Sequence, residues 1–503
     1  MKMPVIGAGR PSRLAAAYQP PLIFCALLVI GTLLKASVIL GKPALWQAAE
    51  APLVSVSPAK GDWVGRNYYS QLALSFISGH LDLPGPYHPD LQSHPNPYGK
   101  DALYQGVIIQ DASYFAGKYY LYFGPAPAGL FYVPCKLVTG RLPSDTLVML
   151  LLVGVVALST AFVLSQSAYE LRAGPGEARD RAYTLVGCFA LAFYNPLMIW
   201  LLRWQNVLAV ARVSALVFLA LGCILLLREF GAFRTCRSEQ RQRTREGVVF
   251  FAMTLLSLAF LCKFNFVLDA IAFAAYGVFM AFRHSRVGRS RMCIVILTPL
   301  AVGLALQFSY NHARFGDWRD VGVRWQTNGL DLRVDPLIDI RPDPGYLFKA
   351  ALERVEDYVL TLPVRERFNP PKLVPRGRSK PYLSNARFYS EGNFGVVWFA
   401  PLILMAPYFV LRTLASPVRY VRAFTSRGGQ AAALYLCVFL WCAHTAQVAY
   451  TILAISAYAT EVLVPSAILI GVCFRAASRT ETKILGALAR ATVVLCLVTL
   501  LLM

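Results

Sequence analysis

The sequence predicts an all-α polytopic membrane protein, and three observations support this class. Hydrophobic residues make up 56% of the 503 residues and charged residues 15%, with a mean hydropathy of +0.50, whereas a soluble domain carries about 25% charge. About eleven apolar stretches are long enough to cross the hydrocarbon core of a bilayer. Arginine-rich segments lie in the short connectors between them. The net charge of +22 therefore reports membrane topology, and no nucleic-acid partner is expected.

The predicted spans have roughly 17 to 23 residues each. They lie near 21–40, 144–166, 182–202, 207–229, 247–262, 266–282, 292–311, 394–412, 430–452, 458–474 and 484–502. Residues 125–138 (PAPAGLFYVPCKLV) are also apolar, but this segment is short and contains three prolines and Lys136. We therefore predict that it re-enters the membrane or lies in the interface without crossing.

The distribution of positive charge sets the predicted topology. If 125–138 does not cross, the arginine-rich connectors share one side with Arg10 and Arg13, and the positive-inside rule places that side in the cytoplasm. Two long connectors, 41–143 and 312–393, then lie on the external face. We expect a single membrane domain over 1–503, with its N-terminus cytoplasmic and its first span retained as a signal anchor. The eleven cysteines lie mostly in apolar runs and predict no disulfide framework.

The first long connector contains three predicted elements. Apolar residues at helical spacing (Tyr68, Leu72, Phe76 and Ile77) predict an amphipathic helix that begins near Asp62, lies flat on the interface and ends at Gly79. Two β-prone runs around Ala116-Gly117 predict a hairpin that turns at the glycine. The re-entrant segment follows. We expect the hairpin to bring its aromatic residues, Tyr119, Tyr120 and Tyr122, to the membrane surface, where they line a cavity.

This arrangement resembles the GT-C superfamily of polytopic membrane glycosyltransferases. The motifs GKYYLYFGPAPAGLFYVPCKLVTG and YNHARFGDWRDVGVRWQTNG are similar to those of a bacterial branch of these proteins. The resemblance implies a sugar donor on a polyprenyl phosphate or pyrophosphate and an acidic general base in the first external connector. That acid falls on Asp62. Many relatives have Asp-Glu at this point, whereas Trp63 follows Asp62 here, so Asp111 is the second candidate. Alternatively, Asp62 caps a helix and Asp111 stabilises a turn.

Basic residues near the predicted external face are candidates for binding the donor phosphate. Arg203 and Lys263 lie in very short turns, and Arg314 follows a span. Snorkelling to lipid head groups is the alternative for each of them. Glu461 could line the cavity or form a structural ion pair with Arg212. Charged residues within spans should in any case face protein or water.

No metal or other cofactor is expected. His80, His88 and His94, with Asp82 and Asp90, have no spacing typical of a metal site. A divalent cation therefore stays possible but without support from the sequence.

These features together predict a membrane glycosyltransferase. It would move a sugar from a polyprenyl-phosphate carrier to a glycan, lipid or protein acceptor at the external face of the membrane. Membrane lipids would surround the protein. The second connector would form a lid over the cavity, an acceptor platform or a solvated cover. One rival is a non-enzymatic transporter or flippase, although no inverted repeat supports it. The other rival is a degenerate GT-C-like scaffold.

Overall fold

The computed structural model describes part of the chain. The described residues are 23–24, 26–31, 68–85, 87–99, 101–102, 105–106, 108–109, 111–145, 147–156, 175–194, 207–231, 239–284, 289–327, 331, 333, 364–366, 372–374, 400–415, 430–450, 460–473 and 479–502. In the second long connector, the pattern of GYLFKAALERVEDYVLTL at 345–362 predicts an amphipathic helix. This segment and most of that connector lie outside the described residues.

The chain forms two compact units. The first unit comprises residues 1–39, 153–200 and 344–503, and the second comprises 40–152 and 201–343. Each unit is therefore assembled from segments that are distant in sequence.

The described part of the chain is mostly helical, with two small two-stranded sheets. The helices are α1 Tyr68–Ile77, α2 Val133–Thr139, α3 Leu147–Val156, α4 Pro175–Ala192, α5 Val207–Gly231, α6 Glu239–Cys262, α7 Val267–His284, α8 Arg289–Phe315, α9 Met405–Ala415, α10 Gln430–Tyr450, α11 Thr460–Cys473 and α12 Arg479–Leu502. The strands are β1 Ser113–Phe115, β2 Lys118–Tyr120, β3 Val364–Glu366 and β4 Lys372–Val374.

Four helical segments among the described residues are long and apolar enough to cross a membrane, judged by length and composition. They are Ala209–Phe230, Arg245–Cys262, Phe264–Phe282 and Arg289–Phe315. These segments correspond to four of the roughly eleven predicted spans, and the structure does not establish the other seven. The shorter apolar helices among the described residues are Ala128–Thr139, Leu147–Val156, Ala182–Ala192, Pro401–Ala415, Leu434–Thr445 and Val462–Cys473.

Helices α5 to α8 lie in the second unit, and α6 packs against both α5 and α8. Small residues allow these helices to approach closely, as is common between membrane helices. Gly303 of α8 lies against Phe260 and Ser257 of α6, and an added Cβ would come within 2.8 Å of the Phe260 ring. The Ser257 hydroxyl donates to the Pro299 carbonyl oxygen at 3.0 Å. Two charged side chains expected to avoid lipid, Arg212 and Asp269, are buried.

Helix α1 ends as predicted and buries Tyr68 and Leu72 of the predicted apolar face, but its burial extends beyond that face. Gly79 follows it with φ +77°, the left-handed conformation that commonly ends a helix. The expected apolar face is wrong in part, because Gln71 and Ser75 are buried whereas Ile77 is 43% exposed. The reason is that α1 is covered by protein from more than one side. Tyr69 stacks on Tyr132 of the re-entrant segment, and Phe76 packs edge-on against Tyr310 of α8.

The predicted hairpin is confirmed. Strand β1 pairs antiparallel with β2, with Phe115 opposite Lys118. Ala116 and Gly117 both have positive φ, 49° and 79°, which is the conformation that a two-residue type I′ turn requires. Glycine adopts it without strain, whereas Ala116 does so at a cost.

The segment predicted to re-enter folds as a short helix. A π-helical turn, Ala128–Tyr132, leads directly into α2, and Gly140 ends the helix with φ +71°. A helix over Ala128–Thr139 is about 18 Å long, too short for a hydrocarbon core of about 30 Å. Its far end is apolar and exposed, since Leu137 is 69% and Val138 85% exposed. These dimensions agree with a segment that does not cross.

The first unit is held together in part by ion pairs. Arg490 of α12 donates to Asp180 of α4 at 2.6 Å, so one of the charges predicted within spans faces protein. Glu481 of α12 accepts a hydrogen bond from Tyr408 of α9 at 2.8 Å and pairs with Arg412.

Candidate functional site

The two long connectors contact each other within the second unit. The Thr327 amide donates to the Ala112 carbonyl oxygen at 2.8 Å, and its hydroxyl lies 2.6 Å from the Ile109 carbonyl oxygen. The Ser113 hydroxyl donates to the Gly322 carbonyl oxygen at 2.8 Å. The start of the second connector therefore fixes Ile109, Ala112 and Ser113 of the first, where the hairpin begins.

Asp111 lies at the centre of this contact. Its φ of +57° is unusual for a residue other than glycine, and such backbone conformations cluster at functional sites. The Gln326 amide nitrogen donates to its carboxylate at 3.0 Å. Burial raises the pKa of Asp111 to about 6, although the hydrogen bond from Gln326 lowers it. Because the residue keeps part of its surface exposed, Asp111 is a carboxyl group that can exchange a proton near neutral pH.

The first turn of α1 lies near Asp111. Burial raises the pKa of the Tyr68 phenol well above its usual value, and the nearby negative charge of Asp111 raises it further. Tyr68 therefore stays neutral, as a hydroxyl beside the carboxyl group.

The three aromatic residues proposed to line a cavity differ in their surroundings. Tyr119 is fully buried, and its hydroxyl accepts a hydrogen bond from the Ile109 amide at 3.2 Å. Tyr120 is 8% exposed and packs on Phe315, whereas Tyr122 is partly exposed. Tyr119 and Tyr120 therefore help to hold the hairpin in place, and a role in lining a cavity stays a prediction.

Arg314, predicted to bind phosphate, is embedded in protein. It is 2% exposed. Its guanidinium donates to the carbonyl oxygens of Leu121 and Tyr310 and, at 2.9 Å, to the side-chain oxygen of Asn311. It also lies 3.9 Å from the centroid of the Tyr310 ring. These contacts link α8 to the end of the hairpin and favour a structural role; a phosphate contact stays a prediction.

Lys263 lies where the sequence places it, in the short turn between α6 and α7, but it is only 6% exposed. The start of the re-entrant segment packs on the same turn. The Gly124 amide donates to the Cys262 carbonyl oxygen at 3.1 Å, and an added Cβ at Gly124 would lie 1.8 Å from the Leu261 carbonyl oxygen. Glycine is therefore required for this close approach of two backbones.

A second buried carboxyl group was missed by the sequence analysis. Asp145 is 5% exposed and accepts a hydrogen bond of 2.5 Å from the Tyr132 hydroxyl, which the π-helical turn presents. Ser144 caps the following helix by accepting from the Leu147 amide at 3.2 Å. The Ser-Asp pair before an apolar run is a helix-start signal, but nothing in the sequence indicates the contact with Tyr132.

Other predicted site residues cannot be placed in this site. Asp62 and Arg203 lie outside the described residues, and the structure describes no side chain for Glu461. His88 and His94 are used locally, because each accepts a hydrogen bond from a backbone amide two residues further on. Among the described residues, no group of three or more His, Cys, Asp or Glu side chains could hold a metal ion.

Fold and site together define a mostly helical protein with helices of membrane-spanning length and a buried carboxyl group where two long connectors meet. No protein-family model matches the sequence, and no curated protein matches it. Among solved structures, the chain is similar to the crystal structure of the Archaeoglobus fulgidus oligosaccharyltransferase in the apo form. The two share 14% identity with a TM-score of 0.42, over 95% of this chain and 56% of that chain. The chain thus spans little more than half the length of that protein.

Proposed function

We propose that the protein is a membrane glycosyltransferase that moves a sugar from a polyprenyl-phosphate carrier to an acceptor at the external face of a bacterial inner membrane. The observation that carries this proposal is the position of Asp111, a desolvated carboxyl group fixed by Gln326 at the contact between the two long connectors. The class of sugar donor is the one that the resemblance of the sequence to GT-C enzymes implies.

Asp111 has the properties of a general base. In the transfer, the oxygen of an acceptor hydroxyl attacks the anomeric carbon of the donor sugar, and the carboxylate takes the hydroxyl proton. The bond between the anomeric carbon and the phosphate oxygen breaks, and the electron pair leaves with the polyprenyl phosphate. A base with a pKa near the working pH combines ionisation with proton affinity, and a pKa of about 6 is close to that optimum. Direct displacement would invert the anomeric configuration.

The phosphate of the donor would need a cation close to this base. Lys263 is the first candidate for this cation, because it lies in the turn against which the chain packs just before residues 125–138. Arg203 is the second candidate. Arg314 would act indirectly by holding the hairpin against α8.

The test compares two acids with a matched control. Asp111→Asn and Asp62→Asn each remove one candidate base, whereas Asp90→Asn changes an acid of the same connector whose side chain is 72% exposed. Full-length protein in nanodiscs is given radiolabelled polyprenyl-phosphate sugars together with membrane extract as the acceptor source. We expect Asp111→Asn to lower the transfer rate at least about 100-fold, as is typical for loss of a general base, and Asp90→Asn to leave it unchanged.

The result also distinguishes the rival functions. If Asp62→Asn alone abolishes transfer, the base is Asp62 and the assignment of Asp111 is wrong. If no lipid-linked sugar is consumed but the labelled lipid crosses the bilayer of sealed vesicles, the protein is a flippase. If neither process occurs, the scaffold alternative gains support.

A further inference from the structure

A broad stripe of exposed apolar side chains runs along α8. Ile294, Leu297, Val302 and Leu306 are exposed by 64, 46, 52 and 56%, respectively. With 3.6 residues per turn, these side chains spread over about half of the circumference of the helix. The most apolar part of this helix has a mean hydropathy of 2.0, and only 33% of that part is buried. A face of this length and composition on a spanning helix is covered by lipid acyl chains.

Polar groups mark both ends of the stripe. At one end, Arg291 is 62% exposed and pairs with Glu246 at 2.8 Å. At the other end, Ser309 and His312 are exposed. From Arg291 to Phe308 the helix rises roughly 26 Å, close to the hydrocarbon thickness of about 30 Å. The membrane boundary therefore falls near Phe308, more than a turn before α8 ends at Phe315.

The chain beyond α8 folds back to this boundary. Trp318 is 48% exposed, and its ring packs edge-on against Phe308 with centroids 5.5 Å apart. The guanidinium carbon of the exposed Arg319 lies 4.5 Å from the centroid of the Trp318 ring. Tryptophan prefers the depth of the lipid head groups, and an arginine above it extends toward the phosphate layer.

The acids nearby leave Arg319 available for a ligand. Asp317 accepts from the Arg319 backbone amide at 2.9 Å. Asp320 accepts from Arg324 and Trp325, each at 2.7 Å. Among the described residues, the Arg319 guanidinium forms no ion pair.

We propose that Trp318 and Arg319, with Ser309 and His312 on the adjoining face of α8, form a binding site for the phosphodiester head group of a bilayer phospholipid. Its acyl chains lie along the stripe from Ile294 to Leu306. The arginine supplies charge and hydrogen bonds to the phosphate, the histidine supplies a further hydrogen bond, and the indole fixes the depth of the lipid carbonyl region. The site sets the depth of α8 in the membrane and, through Gly322 and Thr327, the height of the contact around Asp111.

Depth-dependent quenching tests the indole. Full-length protein is placed in nanodiscs of phosphatidylcholine brominated either near the carbonyl groups or near the chain ends. The chain has eight tryptophans, so the signal of Trp318 is the difference between wild type and Trp318→Phe. We expect the carbonyl-proximal bromines to quench that difference signal more strongly. Stronger quenching by the chain-end bromines, or none by either lipid, would overturn the proposal.

Lipid retention tests the arginine. Native mass spectrometry counts the phosphatidylglycerol molecules that stay bound to wild type, to Arg319→Gln and to the control Arg324→Gln, whose guanidinium is paired with Asp320. We expect Arg319→Gln to lower the binding constant about fivefold and Arg324→Gln to leave it unchanged. Equal retention by the wild type and both variants, or competition by inorganic phosphate, would overturn a bilayer phospholipid site. Neither experiment depends on sugar transfer, so both can succeed where the proposed function fails.

Discussion

Replacing Gly124 with alanine would test the contact between the re-entrant segment and the turn after α6. The added Cβ would lie 1.8 Å from the Leu261 carbonyl oxygen and 2.5 Å from its carbon. Real Cβ atoms essentially never come within 3.0 Å of such atoms, so the two backbones would have to separate by at least 1.2 Å. Neither partner is a flexible side chain that could move aside.

This separation has a calculable cost. The hydrogen bond from the Gly124 amide to the Cys262 carbonyl oxygen, now 3.1 Å, would be lost, and a buried polar group without a partner costs about 1–3 kcal/mol. Forcing an extra methyl group into packed structure costs about 1–3 kcal/mol more. We therefore expect the free energy of unfolding to fall by about 2–6 kcal/mol, a large share of a typical stability of about 5–15 kcal/mol.

Gly129→Ala is the matched control within the same segment. Nothing lies within 4 Å of a Cβ added there, and alanine favours a helix over glycine by up to about 1 kcal/mol. Reversible unfolding of both variants is measured in detergent micelles by circular dichroism. If Gly124→Ala unfolds within about 0.5 kcal/mol of wild type, the backbone contact is not as close as described and the reasoning is wrong.

Four further outcomes are expected. Ala116→Gly should raise the free energy of unfolding by about 1 kcal/mol, because Ala116 has φ +49°; thermal unfolding would check this. Gln326→Leu removes the hydrogen bond that lowers the pKa of Asp111, so the acid limb of the pH–activity profile should move above pH 6. The pKa of the Asp111 carboxyl group is raised from 3.8 to about 6. Asp111 therefore contributes its full stabilisation of the folded state below pH 3.8 and loses it as the pH rises through 6. Asp111→Asn should flatten the dependence of the unfolding free energy on pH between those two values. Tyr132→Phe should cost about 1–3 kcal/mol of unfolding free energy by leaving Asp145 without its hydroxyl donor, and unchanged stability would argue against that bond.

Local features of the connector could be predicted because their causes are local. The turn at Ala116-Gly117, the helix end at Gly79 and the short helix after Pro125 depend on backbone preferences of the residues themselves. The buried face of α1 could not be predicted, because partners from the re-entrant segment and from α8 cover it.

The candidate site also combines features that the sequence predicts with features that depend on tertiary contacts. Asp111 was identified as an acid of the first connector, but its hydrogen bond to Gln326 joins residues that are 215 positions apart. Arg314 was identified as a cation near a membrane boundary, whereas its guanidinium is directed into the protein. Asp145 was missed, because only its contact with Tyr132 distinguishes it from an ordinary residue at a helix start.

The sequence by itself determined a mostly helical chain with apolar helices long enough to cross a membrane, because hydropathy and turn-forming residues act over a few residues at a time. Only the tertiary structure decided which charged groups are desolvated, which are hydrogen-bonded inside the protein and which stay exposed, as Asp111, Arg314 and Arg319 show. The physical reason is that a charge responds to every dipole and every water molecule around it. Those neighbours come from distant parts of the chain.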